Sequence, residues 1–184
     1  RRGRDVPQGA GSDRRMITIV RGALAERRIA AVLRPVTAEW AAPTPAMRRL
    51  EVAAGPDVEE RCRALGELPV GSAVVTPAGA LPAELLVHVV VRSAAEPVTA
   101  RGVEQALRNG LRRAAEWAVQ SLALPPLGTG AGNLDPEQAA AVMMPVLIEH
   151  VRSGAQPKRI EIIVDGDYER DAFERELPSP GPQP

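Results

Sequence analysis

Three glycines at alternate positions, Gly128, Gly130 and Gly132, stand between an apolar run, Leu122-Ala123-Leu124, and a marked helix start, Asp135-Pro136-Glu137-Gln138. Glycine accepts positive φ and carries no Cβ, so the backbone of Gly128-Thr129-Gly130-Ala131-Gly132-Asn133 can come close to a ligand. Successive N–H groups in such a turn form an anion-binding hollow, and the dipole of the following helix reinforces it. The chemistry this spacing offers is recognition of phosphate oxygens by main-chain donors. Spacing alone leaves a plain strand-to-helix turn as an equal alternative.

The elements that must position this loop alternate along the chain. Short β-branched runs at 16–20, 29–33, 72–76, 85–91, 120–124 and 160–164 predict strands, and several are apolar on both faces, as strands covered by helices on each side are. Helical patterns fall at 46–54, 57–65, 100–119, 136–152 and 167–176. In the third, Thr99 is placed as a cap and Val103, Leu107, Leu111, Ala114 and Ala118 form one apolar stripe. Glu104 with Arg108 and Arg112 with Glu116 are spaced as i,i+4 pairs. Asp135 is placed as the cap of the fourth helix, Pro136 takes its first position and Gln138 closes a capping box. The order predicts an α/β domain whose loop lies after the carboxyl end of a strand, where open sheets bind ligands.

At 184 residues, 45% of them apolar, the chain suffices for one core. Lysine plus arginine and aspartate plus glutamate both total 23, so no net field draws the molecule to nucleic acid or an anionic membrane. Aromatics make up 2%, which argues against base-stacking nucleic-acid surfaces. No apolar run reaches the roughly 20 residues of a membrane helix. One cysteine, Cys62, forms no internal disulfide, and a reducing cytoplasm is the expected compartment. Two widely separated histidines and one cysteine give no metal-ligand spacing, and no cofactor is implied. Residues 1–15, with five arginines, read as a disordered basic tail, and translation could equally begin at Met16. The proline-rich 177–184 reads as a second tail.

The glycine loop and the strand before it resemble the second phosphate-binding segment of macro domains. Other segments agree in order: Ile19-Val20-Arg21-Gly22 with the opening strand, Ala53-Ala54-Gly55-Pro56-Asp57 with the end of the first helix, Gly71 to Ala83 with a G-x-A-x-x-T-x-G-x-x-L-P-A hairpin, and Leu86-Val87-His88-Val89-Val90 with a V-I-H-x-V strand. The resemblance covers about residues 16–176. It implies a three-layer α/β/α fold with a mixed central sheet of about six strands, and ADP-ribose or a related phosphorylated nucleotide as ligand.

The same resemblance shows what this chain lacks. Gly22-Ala23-Leu24 stands where ADP-ribose binders carry an aspartate that grips the adenine amino group. Arg34 and Thr37 stand where asparagines position the distal ribose. Thr44 to Glu51 stands where the first phosphate loop has its glycines, with Met47 at the aspartate place. Glu51 is then the remaining acid or base nearby, as a helix-surface glutamate expected to be solvated. Arg34, Arg48 and Arg49 are candidates to converge on the mouth, and Tyr168 is the candidate for base contact. His88 reads as a core histidine bonded to backbone, Cys62 as a small buried hydrophobe, Met143 and Met144 as core filling, and His150 as a cation beside a helix terminus.

Three functions follow as expectations: a nucleotide-binding module with loop 128–133 as its phosphate cradle and no efficient catalysis, an ADP-ribose-processing hydrolase with a rearranged first loop, or a partner-binding scaffold that has lost its ligand.

Overall fold

In the computed structural model, residues 13, 14, 16–131 and 133–179 are described. All six predicted strands are present: β1 (Ile17–Arg21), β2 (Ala31–Thr37), β3 (Ala73–Pro77), β4 (Leu85–Arg92), β5 (Ser121–Leu124) and β6 (Arg159–Val164). So are the five helices: α1 (Pro45–Ala54), α2 (Pro56–Ala64), α3 (Ala100–Glu116), α4 (Pro136–Ser153) and α5 (Asp167–Glu176). A 3-10 turn, Leu24–Glu26, follows β1. The strands form one sheet in the order β1-β6-β5-β2-β4-β3, parallel throughout except for the antiparallel β3–β4 pair.

Strand alternation divides the core in two. Leu33, Val87, Val89, Leu122, Ile160 and Ile162 point to one face, where α3, α4 and α5 cover them. Val32, Val36, Leu86, Val90, Ala123 and Ile163 point to the other, under α1 and α2. Each fully buried leucine or isoleucine removes enough apolar surface from water to favour folding by about 1.5–3 kcal/mol, so two such layers hold the strand ends firmly.

Local rules explain most helix limits. Thr99 Oγ1 accepts from Gly102 N at 3.0 Å. Asp135 Oδ1 accepts from Gln138 N at 2.7 Å while Gln138 Oε1 accepts from Asp135 N at 2.9 Å, completing the capping box. The apolar stripe of α3 is shorter than its spacing predicts: the helix ends at Glu116, and Ala118 turns out to solvent with φ 53°. Glu104 pairs with Arg108 at 3.1 Å, but Glu116 takes Arg113 at 3.0 Å instead of Arg112.

Most of the expected basic tail, residues 1–12 and 15, lies outside the described residues, as do 180–184. Asp13 and Arg14 correct its boundary. Asp13 is buried with its carboxylate 2.6 Å from Arg152, and Arg14 Nε donates to Pro178 O at 2.8 Å. Leu177 packs on the core too.

Candidate functional site

A cavity of about 720 Å³ opens at the carboxyl ends of the parallel strands, the position open α/β sheets use for ligands. Four segments wall it: 22–25 after β1, the start of α1, the loop between β5 and α4, and 165–169 after β6. Pro35, Val91 and Ile163 contribute apolar surface from the strands themselves.

The glycine loop forms one wall. Gly128, Thr129, Gly130, Ala131 and Asn133 all line the cavity, and Gly132 lies outside the described residues. Gly128 has φ 74° and Gly130 φ 125°, values that disfavour any side chain. Three amides of the segment are used within the protein: Leu127 N donates to Met143 Sδ at 3.2 Å, Asn133 N to Gly130 O at 3.1 Å and Leu134 N to Gly128 O at 3.0 Å. These bonds fix the loop. Among the described residues, the amides of Gly128, Thr129 and Ala131 donate to no protein acceptor, which leaves them for a ligand. Asp135, capping α4, sets that helix's N-terminus beside them.

A second helix N-terminus lines the same cavity. Thr44 caps α1 through Met47 N at 3.3 Å, and residues 43–47 line the same cavity. A Cβ built on Gly130 would stand 3.4 Å from Thr44 Cγ2, so the two segments are in near contact. The approach is made on the loop side by Gly130 and on the α1 side by the Thr44-Pro45 helix start. Met47, at the aspartate place, is buried in the core under α1.

At another end of the cavity, Gly22 N donates to Val164 O at 3.1 Å, so residues 22–25 and 165–169 flank one opening. Tyr168 lines it while remaining 58% exposed, and its hydroxyl donates to Glu137 on α4. That bond raises the Tyr168 phenol above its usual value and lowers the Glu137 carboxyl. Glu169 lines the same end, and desolvation by burial raises its carboxyl.

Arg34 is a correction. Its place in the extended β2 puts its side chain on the α1–α2 face, 1% exposed, and it does not line the cavity. Its Nε donates to His88 Nδ1 at 2.8 Å across neighbouring strands, so the imidazole proton sits on Nε2, which donates to Thr76 Oγ1 at 2.8 Å. The Thr76 hydroxyl in turn donates to Pro77 O at 3.0 Å. His88 therefore bonds side chains where backbone partners were expected, and burial followed by the Arg34 charge pushes its pKa well below the usual value. Desolvation lowers Arg34 as well.

Glu51 is a second correction. It is 7% exposed, with its carboxylate 2.6 Å from Arg48 and 3.9 Å from Arg34, and it does not line the cavity. A doubly paired carboxylate outside the cavity is not placed to act as its base. Thr37 holds a turn by accepting from Ala41 N at 3.0 Å. Cys62, 1% exposed, lies 3.7 Å from His88 Nε2, and burial pushes its thiol up, opposite to what a nucleophile needs. Burial lowers His150 too, and its Nε2 lies 3.0 Å from Pro157 O in the last turn of α4.

Of the three arginines expected at the mouth, only Arg49 lines the cavity. Arg48 belongs to a neighbouring one. With Asp135, Asp165 and Glu169 on its walls, the cavity draws its anion-binding capacity from main-chain dipoles more than from side-chain cations. Among the described residues no cluster of metal-ligating side chains exists, and no helix is long and apolar enough to cross a membrane.

Known proteins share this architecture. The macro domain of ganglioside induced differentiation associated protein 2 superposes with a TM-score of 0.81 at 18% identity, covering 91% of this chain and 85% of that one. The Trypanosoma brucei macrodomain in complex with ADP-ribose gives 0.80 at 16% identity, over 89% of this chain and 70% of that one. In sequence, an O-acetyl-ADP-ribose deacetylase of Citrobacter rodentium is 31% identical over 137 residues, 71% of this chain and 77% of that protein. The profile described as Macro domain matches residues 47–143, more than half of the sequence. The chain belongs to the macro domain family.

Proposed function

We propose that the cavity binds ADP-ribose or a closely related nucleoside diphosphate, with the 128–133 loop as its phosphate cradle and without efficient turnover. The observation that carries this reading is the set of amides at Gly128, Thr129 and Ala131 that have no partner among the described residues, in a cavity that the N-termini of α1 and α4 both line. Fixed N–H groups at two positive helix ends suit a diphosphate, and a volume near 720 Å³ accommodates a nucleotide. Asn133 adds a side-chain amide, and Tyr168 offers its ring to the base. The lone buried thiol suits a reducing cytoplasm.

A hydrolase is the second reading, favoured by relatives named O-acetyl-ADP-ribose deacetylase. Against efficient turnover, the one acidic side chain on the 128–135 segment among the described residues, Asp135, is committed to capping α4. Calorimetric titration with ADP-ribose tests the binding reading: heat of binding that Gly130→Val abolishes is expected, and no heat at millimolar ligand refutes it. Acetate release from O-acetyl-ADP-ribose separates the two readings. Release no faster than with Gly130→Val is expected, and sustained turnover would establish the hydrolase.

A further inference from the structure

The larger cavity changes character along the sheet. On the side of β1 and β6 its lining includes the hydrogen-bonding side chains of Asp165, Tyr168 and Glu169, and in the middle the β5–α4 loop adds Thr129, Asn133 and Asp135. In the strand order β1-β6-β5-β2-β4-β3, the far side belongs to the carboxyl ends of β2 and β4. There the lining residues are Pro35 of β2, Val91 of β4, Val98 just before the α3 cap and Pro43 just before the α1 cap. None of these four side chains can donate or accept a hydrogen bond.

Main-chain donors are scarce as well. Six lining residues, Pro35, Pro43, Pro45, Pro125, Pro126 and Pro136, are prolines and carry no N–H. The Thr44 hydroxyl, at the border with the phosphate loop, already accepts from Met47 N at 3.3 Å.

This apolar end adjoins the phosphate cradle. A Cβ built on Gly128 would stand 2.8 Å from Val98 Cγ1, and one built on Gly130 would stand 3.4 Å from Thr44 Cγ2, next in sequence to Pro43. A diphosphate held by the Gly128, Thr129 and Ala131 amides, with its base toward Tyr168, directs whatever its terminal phosphate carries at Pro35, Pro43, Val91 and Val98. A sugar placed there gives up water around its hydroxyls for a wall that returns few hydrogen bonds, whereas an alkyl group gains by leaving water.

We propose that this cavity selects nucleoside diphosphates whose terminal phosphate carries a compact apolar group over those that carry a sugar; the proposal rests on the nucleotide-binding reading.

The test titrates the chain by calorimetry with three ligands of equal charge: ADP methyl ester, ADP butyl ester and ADP-ribose. The butyl ester is expected to bind about tenfold tighter than the methyl ester, the gain from partly burying its added methylenes, and tighter than ADP-ribose as well. Val98→Thr, at a partly buried position, sets a hydroxyl in the wall and shrinks the advantage of butyl over methyl to about threefold. Equal affinity of the two esters, or tightest binding of ADP-ribose, overturns the proposal while the nucleotide site stands. An unchanged ratio in folded Val98→Thr places the alkyl group elsewhere and overturns it too. Failure of all three ligands to bind at millimolar concentration overturns the nucleotide-binding reading with it.

Discussion

Arg34 and His88 sit opposite each other on β2 and β4, with the guanidinium Nε donating to the imidazole Nδ1 at 2.8 Å, both side chains almost fully buried. A buried neutral imidazole that already accepts from a cation cannot take a proton without losing that bond. In the unfolded chain the same group protonates near pH 6.5. Below that value the unfolded state binds a proton that the folded state refuses, so stability is complete above about pH 6.5 and is lost on acidification. Urea unfolding at pH 7.5 and 5.5 should differ by about 1.4 kcal/mol, the acid side being weaker, in a window above ordinary carboxylate titration. Equal stability at the two values would show that His88 is not held neutral. His150, lowered by burial, acts in the same direction.

Removing Glu51 tests the buried ion network. Glu51→Leu leaves Arg34 without its nearest carboxylate and should cost about 3 kcal/mol, as an uncompensated buried charge does. The double variant Arg34→Met/Glu51→Leu should recover most of that loss, because the charge is gone with its partner. On the proposed binding reading the folded fraction of both variants should bind ADP-ribose with unchanged affinity, since neither residue lines the larger cavity. A large loss of affinity with little change in stability would return Glu51 to the site.

The two positive-φ glycines should separate binding from folding. Gly130 meets only Thr44 and Asn133 side chains at ordinary or slightly tight distance, so Gly130→Val fills the cavity mouth and costs on the order of 1–3 kcal/mol through backbone strain. Binding should disappear while the cooperative melt persists. A Cβ at Gly128 would stand 2.6 Å from Val103 Cγ2 and 2.8 Å from Val98 Cγ1, so Gly128→Ala should melt lower than wild type as well as bind worse. Retained affinity in Gly130→Val would place the ligand elsewhere.

Tyr168 divides into ring and hydroxyl. Tyr168→Phe loses the bond to Glu137 but keeps the ring, and should bind ADP-ribose as wild type does with an unaltered melting temperature. Tyr168→Ala should weaken binding roughly tenfold, the size of one lost stacking contact. Titration of both variants with ADP-ribose decides it, and equal affinity of Tyr168→Ala and wild type would remove the base contact.

Legibility followed range in the sequence. The Asp135–Gln138 box and the Gly128–Gly130 turn are local, and their geometry is written within a few residues. The length of β2 is not. Arg34-Pro35 reads as a break, yet β5 pairs with β2 only through Ala31 and Val32, so Pro35 lies where the β5 side of the strand has no partner and its missing N–H costs little. That longer strand is what buries Arg34, and with it Glu51. Their environment depends on Cys62, Thr76 and His88, which come together only in the fold. Thr44 was hidden for a different reason: a helix start without glycine carries no local mark, and only the fold brings it beside Gly130.

A hollow lined by main-chain dipoles, with Arg49 as its one arginine, offers few full charges for salt to screen. An anion held there by fixed N–H groups would lose less affinity as ionic strength rises than one held by clustered cations.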